Sequence, residues 1–181
     1  YRMHVDQLDD ETRERVAMAE DLRYAVDRNE LELHYQPQID MVTGSIVGLE
    51  ALLRWNHPKR GQLLPDRFIP IAETTGSIVA VGDWVIGEAC RQIADWRAAG
   101  IAPPPVAVNL SGAQFKLTDQ LDQIVLDNLA RHRVAPDCLE LELTESVLVE
   151  TTRRHGEALE RLRRAGVRLA IDDFGTGYSS L

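Results

Sequence analysis

Apolar and polar residues alternate with two different periods along this chain, and the changes of period mark its elements. In LELHYQPQID (31–40), Leu31, Leu33 and Tyr35 alternate with polar partners. That predicts a strand, because side chains of an extended chain point to opposite faces in turn. TGSIVGLEALLRW (43–55) opens on a turn and continues as a second, more continuously apolar strand. The short connection around Val42, Thr43 and Gly44 suits a hairpin, so the two strands are expected to be antiparallel. A helical period then takes over. Residues 65–73 predict a short helix and 77–99 a long one, with Ile78, Val81, Val85, Ala89, Ile93 and Trp96 on one face. Gly100 ends it, and Pro103, Pro104 and Pro105 prevent its continuation. Before all of these, residues 8–29 are charged, with Val16, Ala19, Leu22 and Val26 near helical spacing. They predict a linker helix leading out of an upstream domain.

From residue 105 the order is strand (105–111), helix (119–131), strand (138–146), helix (152–165, closed by Gly166) and strand (167–174). Strict alternation argues for a parallel sheet with crossover helices. Asn109, Glu142 and Asp172 end successive strands. Their separation, roughly thirty residues, is that of one unit in a (β/α)8 barrel of ~250 residues. A doubly wound sheet fits the spacing almost as well. The barrel is favoured because polar residues end every visible strand, as they do on a barrel's active face. No short repeat or low-complexity stretch interrupts the pattern.

Composition narrows the choice of chemistry. The chain of 181 residues is long enough for one domain with a substantial core, and its 44% hydrophobic and 27% charged content is that of a soluble globular protein. A formal net charge of -9 argues against binding a nucleic-acid polymer through a basic surface. A phosphate-bearing ligand would need local arginines or metal ions to offset that field. Lys59 and Lys116 are the only lysines. Cys90 and Cys138 show no metal-ligand spacing and read as buried free thiols in a reducing cytoplasm. No stretch approaches the ~18 consecutive apolar residues of a membrane span. The start, YRMHVDQLDDETRERV, is too acidic and polar for a signal peptide. A cytoplasmic piece of something larger is the expectation.

The strand ends carry the chemistry. Glu50 lies inside an otherwise apolar strand, where an ionised carboxylate is costly unless it is paired or binds a metal. A salt bridge to Arg54 is the plain structural alternative. In CLELELTES, Leu139, Leu141 and Leu143 take one face and Glu140, Glu142 and Thr144 the other. A helix-covered parallel strand has little solvated face, so Glu142 near its C-terminal end is no simple surface residue, while Glu140 near its start is expected to be solvated. Glu145 opens the following loop and suits a loop anchor equally well. Asn109 offers a neutral oxygen, and Asp172 and Asp173 end the fifth strand. Any one of these reads as a cap or turn residue. Together, at successive strand ends, they form a negative all-oxygen site that needs cations to remain ionised. Oxygen ligands point to Mg²⁺, Mn²⁺ or Ca²⁺ rather than zinc. Two ions ~3.5–4 Å apart sharing a carboxylate suit in-line attack on a phosphodiester. FGTGYSS (174–180) supplies the glycines and hydroxyls of a ligand-covering loop.

YQPQID, GLEALLRW, FIPIAE, VNLS, ELTES and DDFGTGYSSL occur in this order between about Leu22 and Leu181. In these six motifs the chain resembles an EAL domain, the family of bacterial cyclic di-GMP phosphodiesterases. Residues 1–21 resemble, more faintly, the join from an upstream GGDEF domain, leaving 22–181 as a partial EAL domain. The resemblance implies a TIM-like (β/α)8 barrel with an antiparallel first strand, of which about the first five strands are in this chain. It implies that Glu50, Asn109, Glu142 and Asp172 bind a first Mg²⁺ or Mn²⁺. Asp173 would help hold a second, with Asp172 bridging. Arg54 would contact a substrate phosphate, Gln36 would face the dinucleotide, and Phe68 and Pro70 would line a guanine pocket. Glu145 would brace the loop that couples metal and substrate binding to homodimerisation. Glu50, Asp172 and Asp173 would be the catalytic set, hydrolysing one phosphodiester bond of cyclic di-GMP to give linear pGpG. The alternative is a non-catalytic module that senses cyclic di-GMP or regulates an upstream sensory domain.

The family continues with about three further strands, which carry a lysine, a metal-binding glutamate and a glutamine. An eight-stranded barrel left at five strands would expose its edges and is not expected to be a stable monomer. Three readings follow: the sequence is part of a longer one, proteolysis removed the remainder, or two chains complete one another.

Overall fold

The computed structural model describes residues 2–144 and 153–172, with side chains described over 12–143 and 155–171. Helix α1 (Arg2–Leu22) leads through turns into the hairpin of β1 (Leu31–Ile39) and β2 (Ile46–His57). Asp40 makes the hairpin turn: its Oδ1 accepts from the N–H groups of Val42 (2.9 Å) and Thr43 (2.7 Å), and Gly44 supplies φ +68°. After β3 (Gly61–Leu63) come α2 (Pro65–Thr75), α3 (Ile78–Ala98), β4 (Val106–Leu110), α4 (Gly112–Leu117) and α5 (Leu121–His132). A 3-10 turn (Pro136–Cys138) then enters β5 (Leu139–Thr144), followed by α6 (Arg153–Ala165) and β6 (Arg168–Asp172).

One six-stranded sheet runs β1-β2-β4-β5-β6, with β3 paired to β2. β1 is antiparallel to β2, whereas β2, β4, β5 and β6 are mutually parallel. The hairpin and the alternating parallel units follow the hydrophobic pattern. Two elements escaped it. β3 has three residues and α4 six, each too short to repeat its period twice.

Register sorts the strands into two unlike faces. Val108 and Leu141 are paired, and Leu141 pairs Leu169. With Ala51, Leu53, Trp55, Val106, Leu110, Leu139 and Leu143 they join one core with Ile86, Ala89 and Ile93 of α3, Val125 and Leu129 of α5, and Leu159 and Leu162 of α6. Each such side chain, fully buried, contributes about 1.5–3 kcal/mol. The helix face expected on 78–96 is the one that enters this core, and Trp96 closes its end by an edge contact with Tyr35 at 4.9 Å.

Helix α1 differs in detail from its predicted face. Leu22 is buried, as expected, but Val16 is exposed and Met18 is buried in its place, with Ala25 buried just beyond the helix. A polar clamp fixes this end: Asp21 Oδ2 lies 3.0 Å from His57 Nε2 and 3.1 Å from Arg60 Nη1. His57 is buried, and its Nδ1 accepts from the N–H groups of Lys59 and Arg60. Its Nε2 faces both Asp21 Oδ2 and, at 2.6 Å, Arg60 Nη1. The His57 bond first, then the Arg60 bond, hold the Asp21 carboxyl below its ordinary value.

Candidate functional site

The face of the sheet turned away from the helices is polar. Gln36 stands opposite Glu50, Gln38 opposite Gly48 and Glu32 opposite Arg54 across the hairpin. Glu50 pairs Ala107 on β4, Asn109 pairs Glu142 on β5, and Glu142 pairs Ala170 on β6. Period-two alternation therefore puts Gln36, Gln38, Glu50, Arg54, Asn109 and Glu142 on one face. Two side-chain bonds tie it together. Asn109 Nδ2 donates to Glu50 Oε1 at 2.9 Å, and Gln38 Nε2 donates to Glu142 Oε1 at 3.5 Å. Between β1 and β5 lie three strand spacings, ~14 Å on a flat sheet. A side-chain bond across that gap requires the sheet to curl, as a barrel wall does.

Arg54 makes no ion pair with Glu50; its Nη1 donates to the Leu53 carbonyl at 2.8 Å. The salt-bridge alternative for Glu50 is thereby removed, and its partner is Asn109. Because the Asn109 amide spends its nitrogen on Glu50, its Oδ1 is the atom left to meet a cation. Glu50, Glu142 and Asn109 Oδ1 form a hard, all-oxygen donor set that suits Mg²⁺ or Mn²⁺. Among the described residues, no three acidic, histidine or cysteine side chains converge as a metal cluster. Asp172 takes the backbone position opposite Thr144 at the end of β6, while its side chain, and Asp173 and Glu145 altogether, lie outside the described residues.

Beside this face opens a cleft of about 520 Å³, walled by Leu52, Pro65, Ile69, Pro70, Glu73, Asn109 and Ser111. That volume is ordinary for a small-ligand site. Pro70 lines the cleft. Phe68 does not: it is fully buried and meets Trp55 edge-on at 5.5 Å, so it supports the α2 wall from behind. The expectation for Phe68 is corrected by helical geometry, since residues two apart on a helix face different ways.

Three contributors carry weaker sequence signals. The Ser111 hydroxyl donates to Glu73 Oε1 at 2.6 Å while its oxygen caps α4 by accepting from Ala113 N–H, tying the α2 wall to the end of β4. Gln114 is buried against Gly82, its Nε2 without a partner among the described residues. Gln38 shares the pleat of Gln36, and alternation alone would have found it. The two cysteines are free and buried, as expected, with burial pushing the Cys90 thiol up to about 12.

A parallel sheet curled toward a barrel, with oxygen-bearing side chains on the face away from the helices, is the architecture of a TIM-like barrel wall. The chain belongs to the EAL domain family, whose pattern it matches over residues 19–181. It is 46% identical over 168 residues to the bifunctional diguanylate cyclase/cyclic di-GMP phosphodiesterase MucR of Pseudomonas aeruginosa, covering 93% of this chain and 24% of that protein. To the cyclic di-GMP phosphodiesterase NbdA of the same organism it is 45% identical over 164 residues, 91% of this chain and 21% of the relative. The chain thus spans about a quarter of the length of these relatives. The structure of the MucR phosphodiesterase in complex with c-di-GMP superimposes with a TM-score of 0.83, covering 91% of this chain and 66% of that one at 46% identity. The fold is accordingly that of a TIM-like barrel with an antiparallel first strand, here seen in its β1–β6 wall. No helix among the described residues is long and apolar enough to cross a membrane.

Proposed function

We propose that the domain to which this chain belongs hydrolyses cyclic di-GMP to linear pGpG with two Mg²⁺ or Mn²⁺ ions. The observation that carries the reading is the Asn109–Glu50 bond. It joins two oxygen-bearing side chains on neighbouring strands and leaves Asn109 Oδ1 to accept or ligate, with Glu142 directly opposite Asn109 on β5. In this reading Glu50, Asn109, Glu142 and Asp172 hold the first ion, and Asp172 and Asp173 the second. When bound, the ions lower the pKa of a water and offset charge on the phosphate oxygens. Arg54, on the same face above Glu50, orients a phosphate. Gln36 faces the dinucleotide, and Pro70 with Leu52 and Ile69 gives a base its apolar wall. Glu145 braces the DDFGTGYSS loop (172–180). A homodimer, an upstream GGDEF or sensory domain joined through α1, and a cytoplasmic setting complete the proposal.

The test is incubation of the full-length protein with cyclic di-GMP and Mg²⁺, followed by chromatography for pGpG. Product that disappears with chelator supports the mechanism. Turnover that persists without metal overturns it, and binding without product assigns the domain to the non-catalytic sensor class.

A further inference from the structure

We propose that Gln38 is a positioning residue for the ligand carboxylate of Glu142, and that position 48 is glycine so that Gln38 can reach it. The inference rests on the metal-binding reading of Glu142. Gln38 stands on β1 directly opposite Gly48 on β2, and its Nε2 faces Glu142 Oε1 on β5 at 3.5 Å, a long contact beyond the usual ~2.7–3.2 Å of an N–H···O bond. A carboxylate only accepts, so the amide nitrogen faces Glu142 and the amide oxygen lies over β2. A Cβ built on Gly48 would sit 2.3 Å from Gln38 Oε1 and 3.3 Å from its Cδ. Gly48 is not among the glycines with positive φ, so its backbone would accept alanine. Space for the Gln38 amide is therefore what glycine supplies there. Ala107, the β4 partner of Glu50, keeps the same face low on the neighbouring strand.

The chemistry of the donor fits the task. A carboxylate ligand needs its second-sphere bonds fixed if its oxygens are to meet an ion in one geometry. An arginine or lysine in that place would orient Glu142 but also offset its charge and weaken its hold on a cation. A neutral amide orients the carboxylate and leaves its charge intact.

Mn²⁺ affinity measured on the full-length protein, from the electron paramagnetic resonance signal of free Mn²⁺ titrated without substrate, tests the inference. Gln38→Ala and Gly48→Ala are each expected to weaken binding roughly tenfold. The double variant should be no weaker than either alone, because both remove the same bond. Thermal melting should leave Gly48→Ala folded, since the atom it displaces is the free end of a flexible side chain. Should Gly48→Ala fail to fold, Gln38→Ala alone decides, as it only removes atoms. Wild-type Mn²⁺ affinity in folded Gln38→Ala overturns the inference, and so does a double variant that loses the product of the two single effects. Glu142→Gln separates the two levels of the argument. Weakened binding there with intact binding in Gln38→Ala sinks the inference and spares the functional reading, whereas intact binding in both sinks the two together.

Discussion

Strand β5 has two sides that could hardly differ more. Leu139, Leu141 and Leu143 are at most 2% exposed and join the core with the helices, while Glu140 and Glu142 alternate with them and stay partly open on the other side. The same backbone serves both, so every residue of difference is in the side chains. The helix-facing side supplies stability through burial; the inner side gathers like charges that work against it. A sheet tolerates that second face only because the first is strong, and because charges on the second have bonds such as Asn109–Glu50 to hold them.

Substitution on each face should separate the two contributions. The largest effect is expected from Glu50→Gln, whose amide oxygen still accepts from Asn109 while its charge is gone. Cyclic di-GMP hydrolysis by the full-length protein should drop about a thousandfold, with the urea midpoint unchanged; retained turnover would break the assignment of this face. Leu141→Ala should do the reverse, lowering unfolding free energy by about 3 kcal/mol in urea titration while Mn²⁺ affinity of the folded protein holds. Ser111→Ala sits where the two meet, losing the α4 cap and the tie to Glu73. A loss of about 1–2 kcal/mol is expected, and a rise in KM beyond that seen for Leu141→Ala would place its tie in the cleft wall.

Smaller effects come from elements outside both faces. The Asp21 carboxyl is depressed from 3.8 in the fold, so its stabilisation is complete above that value and fades as pH falls through the folded pKa. Asp21→Asn should therefore be less stable than the wild type by about 1 kcal/mol at neutral pH. The gap should close under acid below pH ~4, followed by thermal melting across pH. A gap that widened in acid would reverse the sign. Glu160, on the solvent side of α6, accepts from Arg163 and Arg164, and its carboxyl is held down to about 2. Exposed pairs of this kind contribute little, so Glu160→Ala should leave the melting temperature unchanged.

Long periodic stretches were readable from the chain. The hairpin, α2, α3 and the parallel units after residue 105 each offered several turns or pleats of consistent pattern. Short elements were not, since three residues of β3 or six of α4 carry too few repeats to distinguish a period. The candidate site drew on Glu50, Asn109, Glu142 and Pro70, where a polar or rigid residue interrupts an apolar run. It was misread at Phe68, because a motif names neighbours in sequence without saying which side of α2 each occupies. Val16 was misread for the same reason. Several apolar residues near helical spacing admit more than one buried stripe, and packing beside α2 buries Met18 and leaves Val16 exposed.

Sequence alone determined the alternation of strands and helices, the type of oxygen donor at each strand end and the ordered motifs of the family, because these depend on local residue type and spacing. Tertiary structure alone decided which donors meet. Glu50 and Asn109 are separated by 59 residues and bond at 2.9 Å, and Gln38 reaches Glu142 over 104. Register between strands and the curl of the sheet set those distances, and both are properties of pairing that no single strand contains. Gly48 joins the two levels: in sequence it is one small residue in an apolar strand, and in the fold it is the space through which one side of the barrel wall touches the other.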